Sequence, residues 1–485
     1  MKKKFYITTT LPYVNAPPHI GFALEIVQAD VIARYHFILG DDVFFNTGTD
    51  EHGLKIYQKA VEEKKDPQKY CDDYAAKFDL LKEKLNLSYN NFIRTTDKHH
   101  IKATQEFWKR CEANGDIYKK NYKTKYCVGC ELEKTDSELV NDRCLIHPDR
   151  EIEIIEEENY FFRFSKYQKS LLEFYDKNPN FVFPEHRQKE IYNFVKSGLQ
   201  DFSISRLKSK MPWGVPVPGD DNHVMYVWFD ALINYVSCLG WPEDEKKFES
   251  FWGTKKKPNA IQVAGKDNLR QQAAMWQAML ISAGLPNSKQ IFIHGFINLA
   301  GQKISKSSGV FLPNPVDLTD KYGVDTVRYY LLREIPAYED GDFSIKRFEE
   351  RYNFDLANGL GNLVARVLTI AAKNQKLNNK INKEILKLIV ATEKNCAQSI
   401  EEYRFHEALE EIWKLIGFCD KYVEENKPWE LAKTDKKKLE TVLSNLLYCI
   451  SEIADLIAPF LPETSEKIKN QIKTGKSEIL FPRLQ

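Results

Sequence analysis

The chain has 485 residues, 43% hydrophobic and 29% charged, the composition of an ordinary soluble globular protein. That length is too great for one hydrophobic core and suggests roughly three domains of about 150 residues each. Lys plus Arg number 70 and Asp plus Glu 69, so bulk charge supplies no attraction for nucleic acid, and any RNA contact must come from local patches.

The opening lysines are followed by Thr8, Thr9, Thr10, Pro12 and Asn15 before any apolar run forms, which argues against a signal peptide. No stretch approaches the ~20 apolar residues of a membrane span. The chain is therefore expected in the cytoplasm, away from membranes. Cys71, Cys111, Cys238, Cys396, Cys419 and Cys449 are scattered and read as small core residues rather than a disulfide framework.

Phe5, Ile7 and Leu11 pattern a first strand, and Pro17 and Pro18 close a turn where a helix can begin. Ile20, Leu24, Val27, Val31 and Tyr35 give that helix one buried stripe. His19, Ile20 and Gly21 stand at its amino end, where unsatisfied N–H groups and partial positive charge suit a phosphate. His19 can donate to a phosphate oxygen there, and Gly21 lets a flat base approach the backbone. A capping histidine beside a tight-packing glycine accounts for the same residues equally well.

Asp42 to Thr47 reads as a second strand, ending in Asp50, Glu51, His52 and Gly53; amphipathic helices fill residues near 54 to 115. From about Asp116 to Asp220 the pattern is irregular. Alternation resumes with strands at Val224 to Phe229 and at Ala260 to Ala264, which leads into Gly265, Lys266 and Asp267. A helix then runs to Ala283, followed by a strand from Gln290 to His294. The fold class expected is α/β: one doubly wound sheet split by an insertion, with ligands beyond the carboxyl ends of its strands. From Asn353 onward, stripes such as Leu409, Ile412, Ile416, Cys419 and Val423 argue for a helical bundle. The expected division is residues 1–115 and 224–295 as the halves of the sheet domain, 116–223 as the insertion, 296–352 as a loop region and 353–485 as the bundle.

Within the insertion, at about 122–150, Cys127, Cys130, Cys144 and His147 form two pairs with two residues inside each. Three thiolates and one imidazole complete a tetrahedron with no open position, so the spacing predicts one structural Zn²⁺. Farther on, Gly301 to Gly309 bound a loop with Lys303 and Lys306 three apart. Such a loop can close over a polyphosphate, although a solvated basic loop has the same composition.

Taken together, the His-Ile-Gly helix start and Lys303-Ile304-Ser305-Lys306-Ser307 after a split nucleotide-binding sheet resemble a class I aminoacyl-tRNA synthetase. The likeness sharpens to the methionyl-tRNA synthetase family on Leu11-Pro12-Tyr13-Val14-Asn15, Thr47 to Gly53, Tyr226 to Ala231, the zinc knuckle and Asn426-Lys427-Pro428-Trp429. This resemblance, from about residue 5 to at least 465, implies a Rossmann-like catalytic domain and an α-helical anticodon-binding domain. It implies ATP, with Mg²⁺, at Pro12, His19, Gly21, Gly265, Lys266, Asp267, Lys303 and Lys306. Among these, His19, Lys303 and Lys306 carry the catalytic work. Methionine is expected at Leu11, Tyr13, Asp50, Trp228, Ala231, Tyr235 and His294, with Tyr235 and His294 nearest the sulfur. Asn362, Arg366 and Trp429 are the implied anticodon contacts, and the partners are initiator and elongator tRNA(Met).

At three places, four residues depart from the family's pattern. Phe22 stands where a second histidine is usual, Gln271 and Gln272 where a Phe-His pair is usual, and Ile304 where methionine is typical. The first two changes are expected at the ATP site. The rival readings are a class I synthetase for another amino acid and a zinc-containing RNA-binding protein that has lost catalysis. The bundle is followed by no visible dimerising segment, so a monomer is expected.

Overall fold

A computed structural model describes residues 2–129, 132–134, 139–299, 302–303, 313–373 and 381–484. Strand β1 (Lys4–Thr9) buries Phe5 and Ile7 on one face and Tyr6 on the other. It pairs in parallel with β2 (Asp42–Thr49) on one side and with the Ala260–Gly265 strand on the other. Strand β3 (Asn91–Arg94) continues beyond β2; the Gln290–His294 strand and then Val182–Phe183 continue the opposite edge. All six strands are parallel, and helices cover both faces, as parallel sheets require. Strand order reverses between β1 and Ala260–Gly265, so the switch-point crevice lies beyond Thr9 and Gly265.

Helix α1 (Ile20–Ile38) follows β1. Its burial is wider than one stripe: every residue from Ala23 to Ala33 is buried, because the sheet covers one side and helices Val324–Arg333 and Lys383–Glu401 pack on the other. The polar residues inside this run are paired. Asp30 accepts from Arg34 at 2.7 Å, from the Ser88 N–H and hydroxyl at 2.6 Å each, and from the fully buried Arg328 at 2.8 Å. Arg328 also donates to the carbonyls of Leu85, Pro459 and Phe460, joining α1 to the helical bundle. Burial works against ionisation of Asp30, but the Arg328 and Arg34 charges outweigh it and lower its pKa.

The Val224–Phe229 strand expected in the main sheet is absent from it. Asp220–Met225 instead pairs antiparallel with Ser205–Leu207 and Pro216–Val217, and the chain turns at Tyr226 into the short helix Val227–Ala231. An apolar run this short satisfies strand and helix patterns alike. The insertion is built on a long antiparallel pair, Ile117–Cys127 with Glu153–Phe162. It also returns Val182–Phe183 to the parallel sheet, so it is stitched to the domain it interrupts.

A small sheet of Ile297–Leu299, Gln302–Lys303 and Gly341–Phe343 follows the Gln290–His294 strand. Among the described residues no strand occurs after Phe343. Helices Asn362–Ala371, Lys383–Glu401, Phe405–Asn426, Pro428–Thr434, Lys436–Ile457 and Pro462–Thr474 form the bundle. Its core of Leu409, Ile412, Cys419, Val442 and Ile450 is continuous with the Phe5 and Ile7 face of the sheet.

Candidate active site

Beyond the ends of β1 and β2 the backbone keeps its pairing for a few more residues. Tyr13 bridges Asp50 in parallel, the Asp50 N–H donates to the Pro12 carbonyl at 3.0 Å, and the Val14 N–H donates to the Asp50 carbonyl at 3.2 Å. Leu11, Pro12 and Tyr13 are half-buried and Asp50 is 8% exposed, so one low-dielectric wall carries an apolar strip and a carboxylate side by side. Next to Asp50, Glu51 is a scaffold residue. It accepts both guanidinium contacts of Arg94, at 2.7 and 3.0 Å, and the hydroxyls of Thr49 and Thr96. His52 donates to Asp230 at 2.7 Å, and Asp230 also receives His100 at 3.0 Å. Burial opposes the charge on Asp230, but His52 and the two imidazole contacts hold its pKa at about 2.

His19 caps α1: its Nδ1 accepts from the Gly21 N–H at 3.1 Å. In the neutral ring this fixes the proton on Nε2, so the capping role leaves His19 a donor at its other nitrogen. A Cβ at Gly21 would lie 3.0 Å from the His19 ring, so the glycine makes room for the cap itself. Phe22, in the place of a second histidine, lies edge-on to Phe78 with ring centroids 5.5 Å apart, against the cluster of Val14, Ile56, Tyr70 and Cys71.

Six residues into the chain beyond His19, Glu25 supplies a contact that sequence reading passed over. It accepts from the Thr10 N–H at 2.8 Å, from the Thr10 hydroxyl at 2.6 Å and from His294 Nε2 at 2.9 Å. An acidic residue amid the apolar positions of α1 was the available signal. His294 Nδ1 lies 2.7 Å from the Gly295 carbonyl, so both ring nitrogens face acceptors, an arrangement that favours the protonated ring. Burial alone would lower its pKa, yet Glu25 raises it on balance. The Glu25 contact ties α1 to the Gln290–His294 strand.

Gly265, paired with His294, ends its strand where a Cβ would come within 2.8 Å of Asp267. Lys266 grips both oxygens of Asp340 at 2.7 Å and lies over the Phe296 ring. Asp267 is exposed at the crevice rim. Gln272, expected at the ATP site, contacts Tyr235. Its Nε2 donates to the Tyr235 hydroxyl at 2.7 Å, and its Oε1 accepts from Gln262 at 3.0 Å. Gln262 in turn accepts from Ser288, and Gln277 donates to Ser288 at 3.1 Å, so a buried amide chain orients Tyr235. Tyr235 and Ala231 are buried, and Trp228 is half-buried close by on the Val227–Ala231 helix.

The backbone of Lys303 pairs with Asn298, four residues past His294, which places the base of the lysine loop in the small sheet that follows the Gln290–His294 strand. The Lys303 side chain, Ile304 and Lys306 lie outside the described residues, as does Cys130. The ligand atoms of Cys127, Cys144 and His147 all lie within 4.8 Å of one another. That fits three corners of a tetrahedral thiolate and imidazole site, whose donor atoms stand about 3.5 to 4 Å apart. A Cβ at Gly129 would meet the His147 ring at 2.4 Å, so the turn between the first two cysteines needs glycine. The Gly129 carbonyl accepts from Lys55, whose ammonium lies 6.0 Å from the Tyr13 ring, so the knuckle rests against the strip leading to Asp50.

In the bundle, Asn362 is exposed, Trp429 is 40% exposed, and the Arg366 guanidinium lies 5.7 Å from the Trp429 ring centroid. Glu424 holds Arg366 at 2.6 Å. Arg366 and Trp429, 63 positions apart, are thus brought together, with Asn362 one turn from Arg366 on the same helix.

The family described as tRNA synthetases class I (M) matches residues 5–139 and 129–368, and the anticodon-binding domain of tRNA ligase matches 382–483. A methionine–tRNA ligase of Thermotoga maritima is 42% identical over 480 residues, covering 97% of this chain and 75% of that one. That of Nostoc sp. is 44% identical, covering 98% and 91%. Mycobacterium tuberculosis methionyl-tRNA synthetase in complex with methionyl-adenylate superposes with a TM-score of 0.90 at 37% identity, covering 99% of both chains.

Proposed function

The chain belongs to the methionine–tRNA ligase family of class I synthetases, and from that premise we propose how its strand-end crevice carries out the family's reaction. The enzyme activates methionine with ATP and transfers it to tRNA. In the first step a methionine carboxylate oxygen bonds to the α-phosphorus of ATP and the bond to the β-phosphate oxygen breaks, with pyrophosphate leaving with the electron pair. No side-chain nucleophile is needed, so rate comes from alignment and from neutralising charge on the phosphates.

Asp50 holds the substrate ammonium, a charge-assisted contact little screened at 8% exposure. Leu11, Tyr13, Trp228 and Ala231 line the thioether chain, and Tyr235, oriented by Gln272, donates toward the sulfur. His19 Nε2 serves the phosphates, together with Lys303 and Lys306 from the loop. Pro12, Gly21, Gly265 and Asp267 bound the nucleotide; Lys266, tied to Asp340, and His294, tied to Glu25, hold that boundary in place. Mg²⁺ bound with ATP supplies further neutralising charge on the phosphates. Cys127, Cys130, Cys144 and His147 hold one structural Zn²⁺. Asn362, Arg366 and Trp429 read the anticodon of initiator and elongator tRNA(Met), with stacking worth about 1 to 3 kcal/mol per base. The enzyme acts as a cytoplasmic monomer; among the described residues no helix is long and apolar enough to cross a membrane.

The observation that carries this reading is the Tyr13–Asp50 bridge, which sets a carboxylate beside an apolar strip at the switch point next to the His19 cap. ATP–pyrophosphate exchange with a panel of amino acids tests it. Methionine alone should drive exchange; exchange driven by leucine, valine or cysteine, or none at all with tRNA binding intact, overturns it.

A further inference from the structure

The five-residue helix Val227–Ala231 presents Trp228 and Ala231 toward the proposed methionine pocket, while Asp230 on the same turn is fully buried behind it. There Asp230 accepts from residues of two other elements: His52 Nδ1, two residues after Asp50, at 2.7 Å, and His100 Nε2, on helix Lys98–Ala113, at 3.0 Å. His100 Nδ1 lies 2.9 Å from the hydroxyl of Ser237, on the helix Asn234–Ser237 that carries Tyr235. Trp213 closes the cluster, edge-on to His52 with centroids 5.6 Å apart, its indole N–H donating to the Glu51 carbonyl at 2.6 Å.

Three segments assigned to the methionine pocket are thus tied to one fully buried carboxylate, directly or through His100. Asp50 directly follows β2, Trp228 and Ala231 come from the first short helix, and Tyr235 from the second. Neither short helix is long enough to hold its attitude alone, since an isolated turn is not stable without tertiary support. Asp230 is the point at which their spacing to Asp50 is fixed.

We propose that Asp230, clamped between His52 and His100, is a positioning residue for methionine recognition: it sets the distance between the Asp50 carboxylate and the Trp228, Ala231 and Tyr235 walls without touching the substrate. The inference rests on the reading that those residues form the methionine pocket. It places the determinant of amino-acid affinity one layer behind that pocket, so a change there falls on methionine binding and leaves ATP binding as it is.

The test uses the full-length enzyme and three variants, Asp50→Asn, Asp230→Asn and the double change, in ATP–pyrophosphate exchange. Asn at 230 is isosteric and can donate to a His52 ring that has moved its proton to Nε2, so the cluster keeps its packing. Asp230→Asn should raise the KM for methionine about tenfold while the KM for ATP stays within about twofold. On the Asp50→Asn background the same change should add less than about threefold, because the ammonium contact whose position it sets has already gone. If Asp50→Asn alone leaves the methionine KM unchanged, the pocket reading has failed. If Asp50→Asn raises it but Asp230→Asn does not, or raises both KM values alike, or multiplies fully in the double variant, the clamp is scaffolding only and the proposal is wrong. Should Asp230→Asn not fold, His52→Gln, which keeps a donor on the same strand end, is judged by the same criteria.

Discussion

Replacing Gln272 by leucine decides whether this departure from the family's usual histidine bears on ATP or on methionine. The side chains are close in volume, so packing is nearly conserved and the change removes two hydrogen bonds: the one given to the Tyr235 hydroxyl at 2.7 Å and the one accepted from Gln262 at 3.0 Å. Both partners are buried, and a buried polar group left without its partner costs about 1 to 3 kcal/mol. The Tyr235 hydroxyl can rotate to recover part of that, so the share reaching the pocket is about 1 to 2 kcal/mol, or roughly 5- to 30-fold in affinity. In ATP–pyrophosphate exchange the KM for methionine should rise by that factor while the KM for ATP is unchanged. Gln272→His, which restores a ring N–H donor to Tyr235, should return most of the loss. A rise confined to the ATP KM would refute the assignment and return Gln272 to the nucleotide side.

Lys306→Ala should slow adenylate formation at least a hundredfold while changing methionine binding little, since it removes charge needed most on the departing pyrophosphate; single-turnover kinetics beside equilibrium binding reads the split. Trp429→Ala should raise the KM for tRNA by roughly 5- to 100-fold, with exchange normal, and a fall in exchange would make Trp429 a core residue instead. The Glu25–His294 pair has a pH signature. Glu25 raises the folded pKa of His294, so the stability it adds is present in full below the unfolded histidine value, near 6.5, and is lost as pH rises through the folded one. Urea midpoints should therefore fall more between pH 6 and pH 8.5 in the wild type than in Glu25→Gln, and equal falls would remove His294 as the cause. Chelation should release one zinc per chain and open the 122–150 segment to protease before the sheet domain is cut.

Much of the sheet was legible because its strands obey simple rules. The strand Gln290–His294 has the predicted limits, and β2 runs two residues longer than Asp42 to Thr47. Strand Val182–Phe183 was not legible: two residues carry no period, and only its place beside Ile291 and Phe292 makes it a strand. At the site, residue types near strand ends were readable, and their pairings were not. His19 was weighed as either a cap or a phosphate donor, and the structure shows that capping through one nitrogen fixes the proton on the other. Nothing nearby in the chain announces the contact of His294 with Glu25, which reaches it across the fold from 269 positions away. Gln272 and Asp230 act through partners 10 to 178 positions distant, and no local pattern encodes such separations.

Helix α1 has no proline and no glycine after Gly21, so nothing along it supplies a joint. Its 19 residues, about 28 Å of rod, start at the His19 cap and pass, at Asp30, the guanidinium that grips the carbonyls of Pro459 and Phe460. A stiff strut of this kind cannot absorb movement at one end. Any tilt of the bundle at Pro459 and Phe460 is therefore carried along the rod to its His19 end.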